Sequence, residues 1–162
     1  MSAHGGPEAM DRPAFLTHAS RIATDFGWKT ATFEREDEAV CVAAIPDDDM
    51  YDRLVWVFDS GRNMLRCMVI SRPEVPAPRL PAVFELCARV NQGLPFGCLE
   101  YAFGDRLLVF RDSTDLDWGP PDLVIKGTTS RVLNLGKRYA MAIKAVLEGE
   151  APDAAVRASE AN

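Results

Sequence analysis

The sequence predicts an α+β fold: a two-layer domain in which helices pack on an antiparallel β-sheet meander. Three observations carry this. Four short apolar runs lie between residues 30 and 70, each bounded by turn residues, with no helical pattern among them. A hairpin pattern follows a second helical segment. Three segments place apolar residues at helical spacing. Strands that succeed one another without intervening helices pair antiparallel, which excludes a parallel doubly wound sheet. The expected order is α-β-β-β-β-α-β-β-α.

The first helix is predicted from Pro13 to Phe26. Asp11 stands before it as a cap, Pro13 suits its first turn and Gly27 can end it. Phe15, Ala19, Ile22, Ala23 and Phe26 form its apolar face. Thr30 to Glu34 alternates as a strand with one wet face, and Val40 to Ile45, Leu54 to Phe58 and Leu65 to Ile70 follow as three more. The last two are apolar at nearly every position, so they are expected to be central or covered on both faces. Four of the eleven prolines lie between Pro73 and Pro81 and make a stiff connection rather than sheet interior.

A second helix is predicted from Pro81 to Gln92, with Val83, Leu86, Cys87 and Val90 on one face and Gly93 as its stop. Gly97 to Phe103 and Arg106 to Arg111 read as a hairpin around a two-residue Gly104-Asp105 turn of type II′. Leu99, Tyr101 and Phe103 share one of its faces. Residues 112–127, with two consecutive prolines, read as irregular. The last helix is predicted from Ser130 to Leu147, with a stripe of Val132, Leu135, Gly136, Tyr139, Ile143, Val146 and Leu147. Residues 1–10 are expected to be a flexible tail, 11–148 a single domain, and 149–162 a frayed polar tail.

The chain has 162 residues and a formal net charge of −6. That length can bury a core without metal or disulfide staples. An acidic chain repels phosphate backbones, so nucleic acid is not an expected partner. No apolar run approaches the ~18 residues that span a bilayer, and the N-terminus lacks a signal-peptide pattern, so no membrane partner and a cytoplasmic location are expected. The cysteines at 41, 67, 87 and 98 have neither zinc nor redox spacing and read as free.

Catalytic chemistry finds little support. The loop Asp47, Asp48, Asp49, Asp52 fails the EF-hand pattern, because its sixth and twelfth positions hold Asp52 and Phe58. It reads as a solvated turn. No phosphate-binding glycine motif and no nucleophile elbow is present. His18, the one histidine inside the expected domain, falls off the apolar stripe of its helix and reads as exposed. The expectation is a non-enzymatic protein with no catalytic residues, cofactor or metal. The alternative is an enzyme or divalent-metal protein that uses Asp112, Asp115 and Asp117, with Asp122 beyond.

Gly136 and Ala140 make a small-residue ridge on the last helix. It suits either close packing on the chain's own sheet or close approach of a partner. Three apolar helices on one sheet face are expected to leave apolar surface uncovered. A homodimer built through helices is therefore expected, with Val83, Leu86, Cys87, Val90, Gly136, Tyr139 and Ile143 as candidate interface.

Residues 91–111 carry one recognisable pattern. Asn91-Gln92-Gly93-Leu94-Pro95-Phe96-Gly97-Cys98-Leu99-Glu100-Tyr101, followed by Leu107-Leu108-Val109-Phe110-Arg111, resembles the signature of the YbjN-domain family: a helix-ending Asn, a glycine opening a strand with an acid inside it, and a strand ending in Arg. The element order is similar over about residues 12–148, although the double proline at 120–121 departs from the family's regular approach to its last helix. By their own chemistry, Asn91 can hydrogen-bond at the helix exit, Pro95 stiffens the link and Gly97 permits a tight strand entry. The resemblance implies a fold like that of the type III secretion chaperones, which are small, acidic and commonly dimeric and hold extended client segments. It also implies a bacterial regulator of sensory transduction with no catalytic activity, bound to a protein client or regulatory partner, with Asn91, Pro95, Gly97, Glu100 and Arg111 as structural motif residues.

Overall fold

The computed structural model describes residues 10–161. All of the expected N-terminal tail except Met10 lies outside the described residues. The strands are β1 (Thr30–Arg35), β2 (Glu38–Ala44), β3 (Tyr51–Asp59), β4 (Met64–Ser71), β5 (Cys98–Ala102) and β6 (Leu107–Asp115). They form one antiparallel sheet in the order β1-β2-β3-β4-β6-β5, so β3 and β4 are central and β1 and β5 are edges. The helices are α1 (Arg12–Asp25), α2 (Leu80–Gly93), α3 (Pro121–Glu148) and α4 (Pro152–Glu160). The fold is the expected two-layer α+β arrangement, with one helix added at the end.

The period of two in the strands decides which face is interior. Leu54, Trp56 and Phe58 of β3 and Leu65, Cys67 and Val69 of β4 point into one core with Phe15, Leu86, Phe110 and Tyr139. The intervening residues point the other way, where Val40, Val55 and Val57 form a separate small cluster. The central strands are thus apolar on both faces, but among the described residues only one face carries helices. At its centre the Trp56 indole N–H donates to the Thr129 hydroxyl at 2.7 Å, and that hydroxyl donates to the Ile125 carbonyl at 2.7 Å. The four cysteines are free, and burial pushes the Cys67 thiol up to about 12.

Four expectations need correction. First, residues 112–127 are largely regular. β6 runs on to Asp115, a short 3-10 turn covers Leu116–Trp118, and α3 starts at Pro121. Pro121 occupies the first helical position, where its missing N–H leaves no bond unmade.

Second, the expected frayed tail contains α4. Its Ala155 and Val156 are buried, and Tyr139 donates to Glu160 at 3.1 Å. Small alanines let this helix approach α2 and α3 closely.

Third, the hairpin turn has four residues, since Ala102 pairs with Leu107. Arg106 takes the left-handed conformation (φ 57) and its N–H donates to the Ala102 carbonyl at 2.7 Å. Phe103 therefore leaves the strand.

Fourth, the helical stripes are core. Val83, Leu86, Val90 and Ile143 are fully buried and Tyr139 nearly so. Gly136 is buried as well, and Cys87 is half-buried. The reason is sheet width. Six strands at about 4.8 Å span about 29 Å, enough for three helices at about 8–10 Å spacing.

Gly136 packs on the chain's own sheet. A Cβ there would lie 3.2 Å from both Tyr51 Cζ and Val69 Cγ1, and the Tyr51 hydroxyl donates to the Gly136 carbonyl at 2.6 Å. Gly136→Val is expected to lower stability by about 1–3 kcal/mol through overpacking. Gly136→Ala should be nearly neutral, because its helix-propensity gain of about 1 kcal/mol offsets the tight contact. Urea titration of both variants checks this; a fully stable Gly136→Val would show that the helix has room to move away.

Candidate interaction surface

The motif residues 91–111 assemble one local structure at the β5 edge. Gly97 opens β5 at φ +70, and a Cβ there would sit 3.0 Å from the Arg111 carbonyl oxygen, so both conformation and space call for glycine. Pro95 lies in the bend between α2 and β5. Glu100 and Arg111 face each other across β5 and β6, with Arg111 Nε donating to Glu100 Oε2 at 3.0 Å and Nη2 to Oε1 at 2.5 Å. The Arg111 guanidinium holds the Glu100 carboxyl below the usual carboxylate range.

Asn91 does more than close its helix. Its side-chain oxygen accepts from the Leu99 N–H at 2.7 Å and its amide donates to the Leu99 carbonyl at 3.0 Å. That is the donor–acceptor pair a neighbouring strand would supply. Leu99 therefore turns its backbone groups away from β6, toward the sheet's free edge. In an antiparallel pair this alternates, so the Tyr101 N–H and C=O point outward as well.

An aromatic cluster stands beside that edge. Phe84 of α2 lies 5.7 Å from Tyr101 and 6.1 Å from Phe103 between ring centroids, and Tyr101 and Phe103 are 5.0 Å apart. Phe84 is 44% exposed and Phe103 77%. The sequence placed Tyr101 and Phe103 together but missed Phe84, whose position depends on how α2 docks on β5.

Asp48, Asp112, Asp115, Asp117 and Asp122 are occupied by structural bonds. Asp112 is buried on the helix side of β6, where it accepts from Arg131 Nε at 2.7 Å. Asp115 accepts from the Asp117 N–H at 2.8 Å, and Asp117 accepts from Asn63 at 2.7 Å. Along a strand, Asp112 and Asp115 fall on opposite faces. This corrects the alternative reading of a metal site at Asp112, Asp115 and Asp117, because the three carboxylates do not converge. Asp122 pairs with both His18 and Arg21, and chiefly the Arg21 hydrogen bond holds its carboxyl low. In the 47–52 loop, Asp48 accepts from the N–H groups of Met50 and Tyr51, both at 2.8 Å. Mg²⁺, Ca²⁺ and Mn²⁺ are expected to leave the melting temperature unchanged. A metal at 100 times its Kd would add about 2.7 kcal/mol, an upward shift that calorimetry would detect.

No helix among the described residues is long and apolar enough to cross a membrane. No protein-family model matches the chain, and no curated protein matches it. It is similar in structure to the crystal structure of YbjN from E. coli, described as a candidate transcription regulator. The identity is 14% and the TM-score 0.49, with 82% of this chain and 87% of that chain covered.

Proposed function

We propose that this chain is a non-enzymatic protein-binding module, chaperone-like or regulatory, that holds an extended segment of a client protein along β5. The observation that carries the reading is the juxtaposition of a free strand edge with three clustered aromatic rings, two of them substantially exposed. An exposed edge is a template for another strand, and proteins commonly blunt theirs with charge or proline. At this edge Asn91 occupies only the Leu99 position, while the outward groups of Tyr101 stand next to Phe84 and Phe103. Strand addition supplies affinity through backbone hydrogen bonds, and side-chain pockets supply selectivity. The preferred client segment is extended and carries an aromatic or large aliphatic residue to set among the three rings. The cytoplasmic setting expected from the sequence belongs to the same reading.

The test is selection of a random 12-residue peptide library on the full chain, with counter-selection on the folded double variant Phe84→Ala/Phe103→Ala. Enriched peptides should bind the wild type at least about tenfold more tightly than the variant, a difference of about 1.4 kcal/mol. They should also protect the Tyr101 amide from hydrogen exchange. Peptides that bind both proteins equally, or no enrichment at all, would overturn the β5 site.

A further inference from the structure

We infer that the helix-free face of the sheet is a self-association surface whose occupant is a second copy of this chain, stacked sheet to sheet. This face lies away from the aromatic cluster and uses different residues. β1 to β4 contribute a continuous apolar centre: Phe33, Val40, Val42, Val55, Val57 and Met68, joined by register across neighbouring strands. Val40, Val55 and Val57 cluster apart from the main core, and Phe33 remains 41% exposed. Short β-branched side chains make such a face shallow, which suits a second sheet packing at about 10 Å rather than a helix seated in a groove.

Charge selects the occupant. The chain carries a formal net charge of −6, so most of its surface repels a copy of itself. On this face the signs balance. The strand residues Arg35, Arg53, Arg66 and Arg111 are equalled in number by Glu38, Asp59, Glu100 and Asp115, while Arg53 pairs with the neighbouring Asp52 and Asp59 with Arg62. Arg66 with Glu38 and Arg111 with Glu100 are already paired within the chain. A face whose strand charges balance around an apolar centre meets its own copy without net like-charge conflict. A two-fold axis demands such self-complementarity.

The area suffices. Six strands about 4.8 Å apart and about seven residues long give a face of about 29 by 23 Å, or about 1,300 Å² for two copies, above the ~1,000 Å² that a specific interface needs.

The test is the mass of the full chain in solution, measured by sedimentation equilibrium on the wild type, Val42→Glu and Met68→Glu. Both substituted residues are only half-buried and point away from the helices. At about 50 µM the wild type should sediment at twice the single-chain mass. Each variant should sediment as a single chain with an unchanged circular dichroism spectrum, its dissociation constant raised at least about a hundredfold. Should Val42→Glu lose its fold, Met68→Glu decides alone. A wild type that stays at the single-chain mass up to about 200 µM would overturn the inference, as would a folded Met68→Glu that remains a dimer.

Discussion

Leu86→Glu is expected to unfold the chain rather than release a folded monomer. Leu86 is fully buried in the core between α2 and the sheet, and the next turns of the same stripe, Val83 and Val90, are equally enclosed. A carboxylate placed there has no partner and no water. Truncating a buried leucine already costs about 2–5 kcal/mol. An unpaired buried charge adds several more and takes the sum to most of the 5–15 kcal/mol that holds a domain of this size. Circular dichroism should show no cooperative thermal transition for Leu86→Glu. A folded, single-chain Leu86→Glu would return α2 to the position of an interface helix.

Trp56→Ala is expected to remove about 3–5 kcal/mol. Trp56 has no solvent exposure and stands at the centre of β3, a central strand. It is the largest of the fully buried side chains, so its truncation removes more packed volume than that of any other of them. It also strips the Thr129 hydroxyl of its indole donor, although that hydroxyl keeps its bond to Ile125. Chemical denaturation should show a lower midpoint with a similar slope. A loss under about 1 kcal/mol would mean that the core collapses around the site.

The fold was legible where local chemistry decides structure. The Asp11 cap and Pro13 place α1, and its Asp11 carboxylate does accept from the Ala14 N–H at 2.7 Å. Turn residues separate the strands of the meander, and neighbouring runs pair as their order suggests. The errors arose where distant packing decides. Pro120-Pro121 looks like a loop until Ile125, Thr128 and Thr129 are seen buried against the sheet, which makes the second proline a helix start. The alanines of α4 resemble a frayed tail because their burial depends on α2 and α3. An apolar helical stripe reads the same whether it faces its own sheet or a partner, and only the width of the sheet separates the two.

The candidate site was legible in the same uneven way. Asn91, Gly97, Glu100 and Arg111 stand out as a pattern because each meets a local demand: a latch on Leu99, a positive φ and a cross-strand ion pair. Phe84 carries no such mark, since it joins Tyr101 and Phe103 only through the docking of α2 on β5. The balanced charges of the open sheet face are also invisible along the chain. They emerge when register sets Arg66 within reach of Glu38 two strands away.

One sheet face buried under the chain's own helices and one left open for a partner is the arrangement on which both proposed surfaces depend. Its most direct test is the thermal unfolding of two variants at adjacent positions of β4, Cys67→Glu and Met68→Glu. Cys67 is fully buried on the helix side, and Met68 is half-buried on the open side. The expected result is no cooperative transition for Cys67→Glu and a folded Met68→Glu that melts within a few degrees of a single wild-type chain. Two variants destabilised alike, or a Met68→Glu that unfolds while Cys67→Glu does not, would contradict it.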